Sequence, residues 1–190
     1  MNPAAKESLR RAMLDRRGAL SAEFREAAAR AVEERLFSQP EWAAAPRVGL
    51  YWAVRGELPT RGIFQRLRRE GRPVCLPRLG AAGLEFAEVG DESSLVPGAW
   101  GILEPDPRLP VVPLEGLALL LVPGVAFDVR GGRLGWGQGY YDRALQGFRG
   151  RRWALAYDFQ VLESVPTDER DEAVERIVTE RRMIDSQGRA

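Results

Sequence analysis

Five glycines fall between Gly131 and Gly139, inside the run VPGVAFDVRGGRLGWGQGYYDR (Val122–Arg143) that ends in two tyrosines, an aspartate and an arginine. With no side chains at Gly135, Gly137 and Gly139, backbone N–H groups can converge on an anion, and a helix start just downstream adds favourable partial charge. Arg133 and Arg143 bracket the loop with guanidinium forks suited to phosphate. Asp142 follows at once, placed to share a Mg²⁺ ion with phosphate oxygens and water. Glycine spacing alone fits a plain hairpin between strand and helix equally well, and Asp142 alone fits a helix cap or an ion pair.

Two phosphate motifs can be tested against the letters. A Walker A loop needs Gly-Lys-Ser/Thr, whereas Gly139 is followed by Tyr140 and Tyr141. A dinucleotide fingerprint needs GxGxxG; Gly135 and Gly137 fit, but the third position is Tyr140. Asp158 stands where a ribose-binding acid would, so a dinucleotide-binding oxidoreductase stays open as an alternative. The long excursion Val125–Arg133 replaces the tight turn that such a fold requires.

Composition narrows the chemistry further. The chain has 190 residues, 45% hydrophobic and 29% charged, with net charge +1. That suits one globular domain, 1–190, and supplies no global field for nucleic acid or an acidic membrane. The arginine clusters at 66–69, 149–152 and 181–182 read as solvated faces. One cysteine, Cys75, rules out an intrachain disulfide and a CxxC site. The longest apolar run, 117–122, is too short to span a bilayer, and the first twenty residues lack a signal-peptide core. A cytoplasmic monomer is the expectation. Histidine is absent, which removes Ser–His–Asp triads and imidazole acid–base catalysis. Lys6 is the only lysine among 28 basic residues. Something kept it where arginine would serve a merely solvated position.

The elements that must position these residues follow from periodicity. Residues 4–16 read as a helix. Ser21 caps a second helix reaching Ser38, with Phe24, Ala28, Ala31, Val32 and Leu36 on its apolar stripe. Residues 47–52 read as a strand, and Thr60 as the cap of a helix bearing Ile63, Phe64 and Leu67. Strands are expected at 73–77 and 84–89, then a loop-rich stretch over 91–116. The continuous apolar run 117–122 predicts a central strand covered on both faces. A short helix over 142–145 follows the glycine loop, then strands at 152–157 and 176–184. Strands alternating with helices argue for a three-layer α/β sandwich around a mostly parallel or mixed sheet.

The run Val122–Arg143 resembles the signature of the 5-formyltetrahydrofolate cyclo-ligase family. KESLR (6–10), LYWAVRGELPT (50–60), GILEP (101–105) and DEAVERIVTE (171–180) resemble further family segments, in order, so the likeness covers the whole chain. The resemblance implies a fold related to the ribose-5-phosphate isomerase and CoA-transferase group. It implies ATP binding by Lys6, Glu7, Ser8, Leu9 and Arg10, together with Arg133, Leu134, Gly135, Trp136, Gly137, Gln138, Gly139, Tyr140 and Tyr141. It implies folate contacts at Trp52 and Glu57 and at Trp136 to Tyr140, with Mg²⁺ associated with Asp142 and Asp171. Two positions depart from the family. Gln138 stands where lysine is frequent, which leaves one phosphate contact neutral. Arg170 stands where histidine is frequent, beside Asp171 as its expected partner.

The implied reaction is 5-formyltetrahydrofolate plus ATP giving 5,10-methenyltetrahydrofolate, ADP and phosphate. Phosphoryl transfer depends on positioning and charge neutralisation more than on a protein nucleophile, so a chain without histidine can perform it. A folate- or nucleotide-binding module that kept the fold without turnover is the alternative from another class. Intact Lys6, Arg10, Glu57 and Asp142 speak against it.

Overall fold

The computed structural model describes residues 3–186. The ends of the 1–190 domain expectation lie outside the described residues. The helices are α1 (Pro3–Gly18), α2 (Ala22–Phe37), α3 (Pro40–Ala44), α4 (Arg61–Arg69) and α5 (Tyr140–Leu145). The strands are β1 (Val48–Gly49), β2 (Val74–Gly80), β3 (Gly83–Glu88), β4 (Leu95–Pro97), β5 (Leu103–Pro105), β6 (Val111–Val112), β7 (Leu119–Val122), β8 (Ala126–Asp128), β9 (Arg133–Leu134), β10 (Arg151–Leu155), β11 (Val161–Leu162), β12 (Arg176–Val178) and β13 (Met183–Asp185).

Eight strands form the central sheet in the order β13-β12-β10-β7-β1-β2-β3-β6. The five from β12 to β2 run parallel; β13 and β3 run antiparallel to them, and β6 pairs antiparallel with β3. The sheet is therefore mixed, with a parallel centre. Along β7, Leu119 and Leu121 pack on one face while Leu120 and Val122 pack on the other, and all four are buried. β10 alternates likewise, Trp153 and Leu155 against Ala154. This two-sided burial is what an unbroken apolar run signals. One face is covered by α2, α3 and α4 through Val32, Leu36, Trp42, Ile63 and Leu67; the other by Leu145 of α5 with Phe127 and Phe148. Helix α1 packs through Met13 on Val125, Ala126 and Leu134.

Several expected elements differ in detail. The strand at 47–52 shortens to β1, because the chain leaves the sheet after Leu50 N–H bonds Cys75 O (2.8 Å). Ser21 caps α2 as expected, its Oγ accepting from Phe24 N–H (3.2 Å), but Phe24 is exposed beside the Tyr157 ring. Thr60 precedes α4 without capping it; its hydroxyl donates instead to Tyr51 O (2.6 Å). The loop-rich stretch holds the β4–β5 hairpin and β6. The single strand expected at 176–184 is a hairpin, β12 paired with β13 around Thr179–Arg182. Buried Thr179 makes the turn: its Oγ1 accepts from Arg182 N–H (2.9 Å) and Arg181 N–H (3.2 Å).

Candidate active site

Parallel strands deliver their carboxyl ends to one edge of the sheet, where ligands of such folds bind. There the segment after β1, the end of β2 and the excursion after β7 enclose a cleft of about 400 Å³. The excursion resolves the question that its glycines pose. Val125–Leu134 folds back as the β8–β9 hairpin, with Val125 N–H on Leu134 O (2.7 Å). Buried Asp128 ties its turn, accepting from the N–H groups of Arg130 (3.0 Å), Gly132 (2.9 Å) and Val165 (2.9 Å). Gly131 takes φ +85 in that turn. A hairpin here is incompatible with the tight strand-to-helix turn of a dinucleotide site.

From β9 the loop Gly135–Gly139 runs along the cleft into α5, and Tyr140 and Tyr141 complete that wall. Gly137 (φ +96) and Gly139 (φ +66) lie in the left-handed region that glycine tolerates. A side chain at Gly137 would crowd Arg10 Nη2 (3.3 Å), and one at Gly139 would crowd Arg143 Nη1 (2.9 Å). Arg10 Nε donates to Gly135 O (2.9 Å), and Arg143 Nη1 donates to Gln138 O (3.0 Å) while its guanidinium lies over the Tyr140 ring. The glycine loop is thus threaded between two guanidinium groups. The opposite wall carries Trp52, packed edge-on against Phe64, and Glu57; the β4–β5 hairpin contributes Trp100, whose ring lies 6.0 Å from that of Tyr140.

Glu57 is 7% exposed, and both its oxygens are engaged. Oε1 accepts from Trp136 Nε1–H (3.1 Å) and Oε2 from Val54 N–H (3.0 Å). Burial pushes its pKa up, opposed by the Val54 N–H, the charge of Arg17, the Trp136 N–H and the charge of Arg55. Trp52 and Glu57 of the segment after β1 therefore share one cleft with Trp136 of the glycine loop, 79 positions beyond Glu57 in sequence.

Arg133 departs from the picture of an open phosphate fork. It is buried, and its guanidinium bonds Pro123 O (3.3 Å) and Asp142 Oδ1. Asp142 Oδ1 also accepts from Glu172 N–H (3.1 Å), which fastens the 168–172 segment to the start of α5. Lys6 reaches the same segment. Its Nζ donates to Asp168 (2.8 Å) and Asp171 (2.7 Å). Burial works against the Lys6 charge, but these two carboxylates outweigh it and raise the pKa. Arg170 does not partner Asp171 as expected; its N–H bonds Asp168 (3.1 Å) and its guanidinium extends into solvent near the same carboxylate. Of the remaining expected ATP contacts, Leu9 and Leu134 pack against Met13, Glu7 pairs with Arg10, and Ser8 is exposed. Asp168, Arg17 and Trp100 are features of this region that residue-type reasoning passes over. For Arg17 a signal exists in helical spacing, taken up below.

The carboxylates can be tested for Mg²⁺. Among the described residues no group of three or more acidic, cysteine or histidine side chains could enclose a metal. The aspartates nearby are Asp142, Asp168 and Asp171, each already bonded to a cation, which suits an ion that keeps waters and phosphate oxygens rather than an all-protein cage. The residues fit magnesium bound together with a phosphate. No helix among the described residues is long and apolar enough to cross a membrane.

Comparison with known proteins agrees with this geometry. The pattern describing the 5-formyltetrahydrofolate cyclo-ligase family matches residues 2–180. The 5-formyltetrahydrofolate cyclo-ligase of Escherichia coli K12 is 36% identical over 172 residues, covering 86% of this chain and 94% of its own. The mouse protein of the same name is 29% identical over 191 residues, covering 93% and 94%. The solution structure of Aquifex aeolicus 5,10-methenyltetrahydrofolate synthetase superposes with a TM-score of 0.87 at 36% identity, covering 97% of this chain and 95% of its own. With the motif, the fold and these relatives in accord, the chain belongs to the 5-formyltetrahydrofolate cyclo-ligase family.

Proposed function

We propose that this protein converts 5-formyltetrahydrofolate to 5,10-methenyltetrahydrofolate with ATP as co-substrate and Mg²⁺ as cofactor, releasing ADP and phosphate. The observation that carries the reading is the shared cleft: Trp52, Glu57 and Trp136 line it beside the Gly135–Tyr141 loop, and Arg10 of α1 is bonded to that loop. The Glu57 carboxylate can accept from the donor-rich edge of a pterin, with aromatic walls for its rings. Loop N–H groups, Arg10 and Lys6 are the donors for the triphosphate. Asp142 and Asp171 would hold Mg²⁺, which supplies charge neutralisation for the phosphates when bound.

In the reaction, the formyl oxygen attacks the γ-phosphorus and the bond to the β-phosphate oxygen breaks, releasing ADP. The oxygen, a poor leaving group as a formamide, now carries phosphate on an iminium carbon. N10 attacks that carbon, losing its proton, and the C–O bond breaks to free phosphate. The protein need only align the two substrates and exclude water. Incubation with 5-formyltetrahydrofolate, ATP and Mg²⁺ should give the absorbance of the methenyl product. A folded sample that binds both substrates and forms none would be a binding module instead.

A further inference from the structure

Arg17 lies at the end of α1 and is 1% exposed. No carboxylate among the described residues is paired with it directly. Its Nε donates to Arg55 O (3.1 Å) and its Nη1 to Gly124 O (3.4 Å), while its Nη2 finds no hydrogen-bond partner among the described residues. A guanidinium cannot shed its proton, so a buried one without an ion pair is expensive and calls for an explanation.

The surroundings supply one. The Arg17 guanidinium lies 5.0 Å from the centroid of the Trp136 ring, and Arg55 lies at the same distance. That same indole donates to Glu57. The backbone strap bearing Glu57 is unusual: Arg55 (φ +48) and Gly56 (φ +76) are consecutive left-handed residues. A side chain on Gly56 would already touch the Arg17 carbonyl at 3.4 Å. Arg17 is therefore bonded to the strained strap through Arg55 O, to the β7 excursion through Gly124 O, and to the indole between them through its π face. We infer that Arg17 is a positioning residue for the folate half of the site, holding the Glu57 strap and the Trp136 indole in register and offsetting the Glu57 charge from beneath. The inference rests on the proposed function.

Helical spacing supports the assignment. At about 100° per residue, Lys6, Arg10 and Arg17 fall within about 40° of one another around α1. One helix face thus presents two cations toward the glycine loop and the 168–171 segment, and a third beneath Glu57. The charged and titratable groups around Glu57 are Arg17 from α1, Arg55 on its own strap, Tyr51 after β1, Tyr141 of α5 and Tyr157 after β10. Burial holds all three tyrosines above their usual range, so Arg17 and Arg55 are the cations that favour the carboxylate.

The test uses the whole protein and 5-formyltetrahydrofolate without ATP, titrated from neutral pH downward, with ATP affinity measured separately. Arg17→Met removes the charge and both hydrogen bonds while filling the space. Its folate Kd should weaken about tenfold or more, given a desolvated cation–π contact and two lost bonds. ATP affinity should hold. Binding should also fail at higher pH than in wild type, because a carboxylate without its cation is protonated sooner. Arg17→Lys should return the pH limb to its wild-type position with an intermediate Kd, since an ammonium restores charge but cannot bridge both carbonyls. An Arg17→Met protein with wild-type Kd and limb overturns the inference, as does equal loss of folate and ATP affinity with the limb unmoved. If the Met variant does not fold, a wild-type folate Kd in Arg17→Lys overturns it. Wild type that binds no folate would instead sink the proposed function, and this inference with it.

Discussion

Lys6 Nζ stands 2.7 Å from Asp171 Oδ2, so the cation expected at the triphosphate and a carboxylate expected at magnesium are joined to each other. Asp168 shares the same ammonium and is held below its ordinary pKa by the Lys6 hydrogen bond and then by Arg170 N–H. A phosphate entering here would meet a lysine already held by two acids, and an aspartate whose charge is already satisfied. On the proposed function, nucleotide binding would exchange partners, lysine to phosphate and aspartate to metal.

Lys6→Ala should accordingly impair ATP use and spare folate. One charge-assisted contact is worth about 1.5–3 kcal/mol, which is a loss of roughly 10- to 150-fold in kcat/KM for ATP. Folate Kd should stay within about twofold, because the proposed folate contacts are on the segment after β1 and the glycine loop, not on Lys6. Steady-state kinetics against each substrate decide the matter; unchanged ATP kinetics would leave Lys6 as a tether for the 168–171 segment alone.

Glu57→Ala should do the reverse. It leaves the Trp136 and Val54 N–H groups without their acceptor and removes the pterin's partner, at about 1–3 kcal/mol for each unsatisfied group. In the wild type the sign of the pH effect follows from the raised Glu57 pKa. Folate affinity should be full where the carboxylate is ionised and decline as pH falls through that raised value. The Ala variant should lack this limb. A variant that binds folate normally at neutral pH would refute the role.

The fold and the site were legible to different depths. Strand β7 was readable because Leu119–Val122 are apolar at every position, a pattern that only two-sided burial explains. The β12–β13 hairpin was not, because residues 176–184 have no glycine, proline or asparagine to mark the reversal; the turn is made by the hydroxyl of Thr179. The motif located Glu57 and the glycine loop. It could not show that Arg133 is spent on Asp142, or that Lys6 pairs with residues more than 160 positions away. Those pairings depend on where loops cross at the sheet edge, which no local spacing encodes.

Thr179→Val tests that turn. The substitution keeps the shape and removes an acceptor of two N–H groups and a donor near Asp158 Oδ1 (3.0 Å) at a fully buried position. The expected cost is about 2–3 kcal/mol in denaturant unfolding, with kinetics per folded molecule unchanged. A variant as stable as wild type would mean that the turn is fixed by strand pairing alone.

Asp142→Asn and Asp171→Asn test the metal assignment, and the structure makes their stability effects differ. Asp142 neutralises Arg133, whose side chain is 2% exposed, so the Asn variant leaves a buried guanidinium uncompensated and should lose about 3 kcal/mol of stability. Asp171 is one of two acids on Lys6; Asp168 remains in its absence, and the loss should be under about 1 kcal/mol. Turnover should behave otherwise. Each substitution would remove a full charge from the proposed metal site, so half-maximal turnover should require more Mg²⁺ at fixed ATP in both variants. The measurement is a Mg²⁺ titration of turnover beside a thermal melt, at a temperature where both variants remain folded. A lowered melt with an unmoved Mg²⁺ curve for Asp142→Asn would make Asp142 the counter-ion of Arg133 and nothing more. If the Asp171→Asn curve also stayed in place, the metal would be held by phosphate and water without these carboxylates.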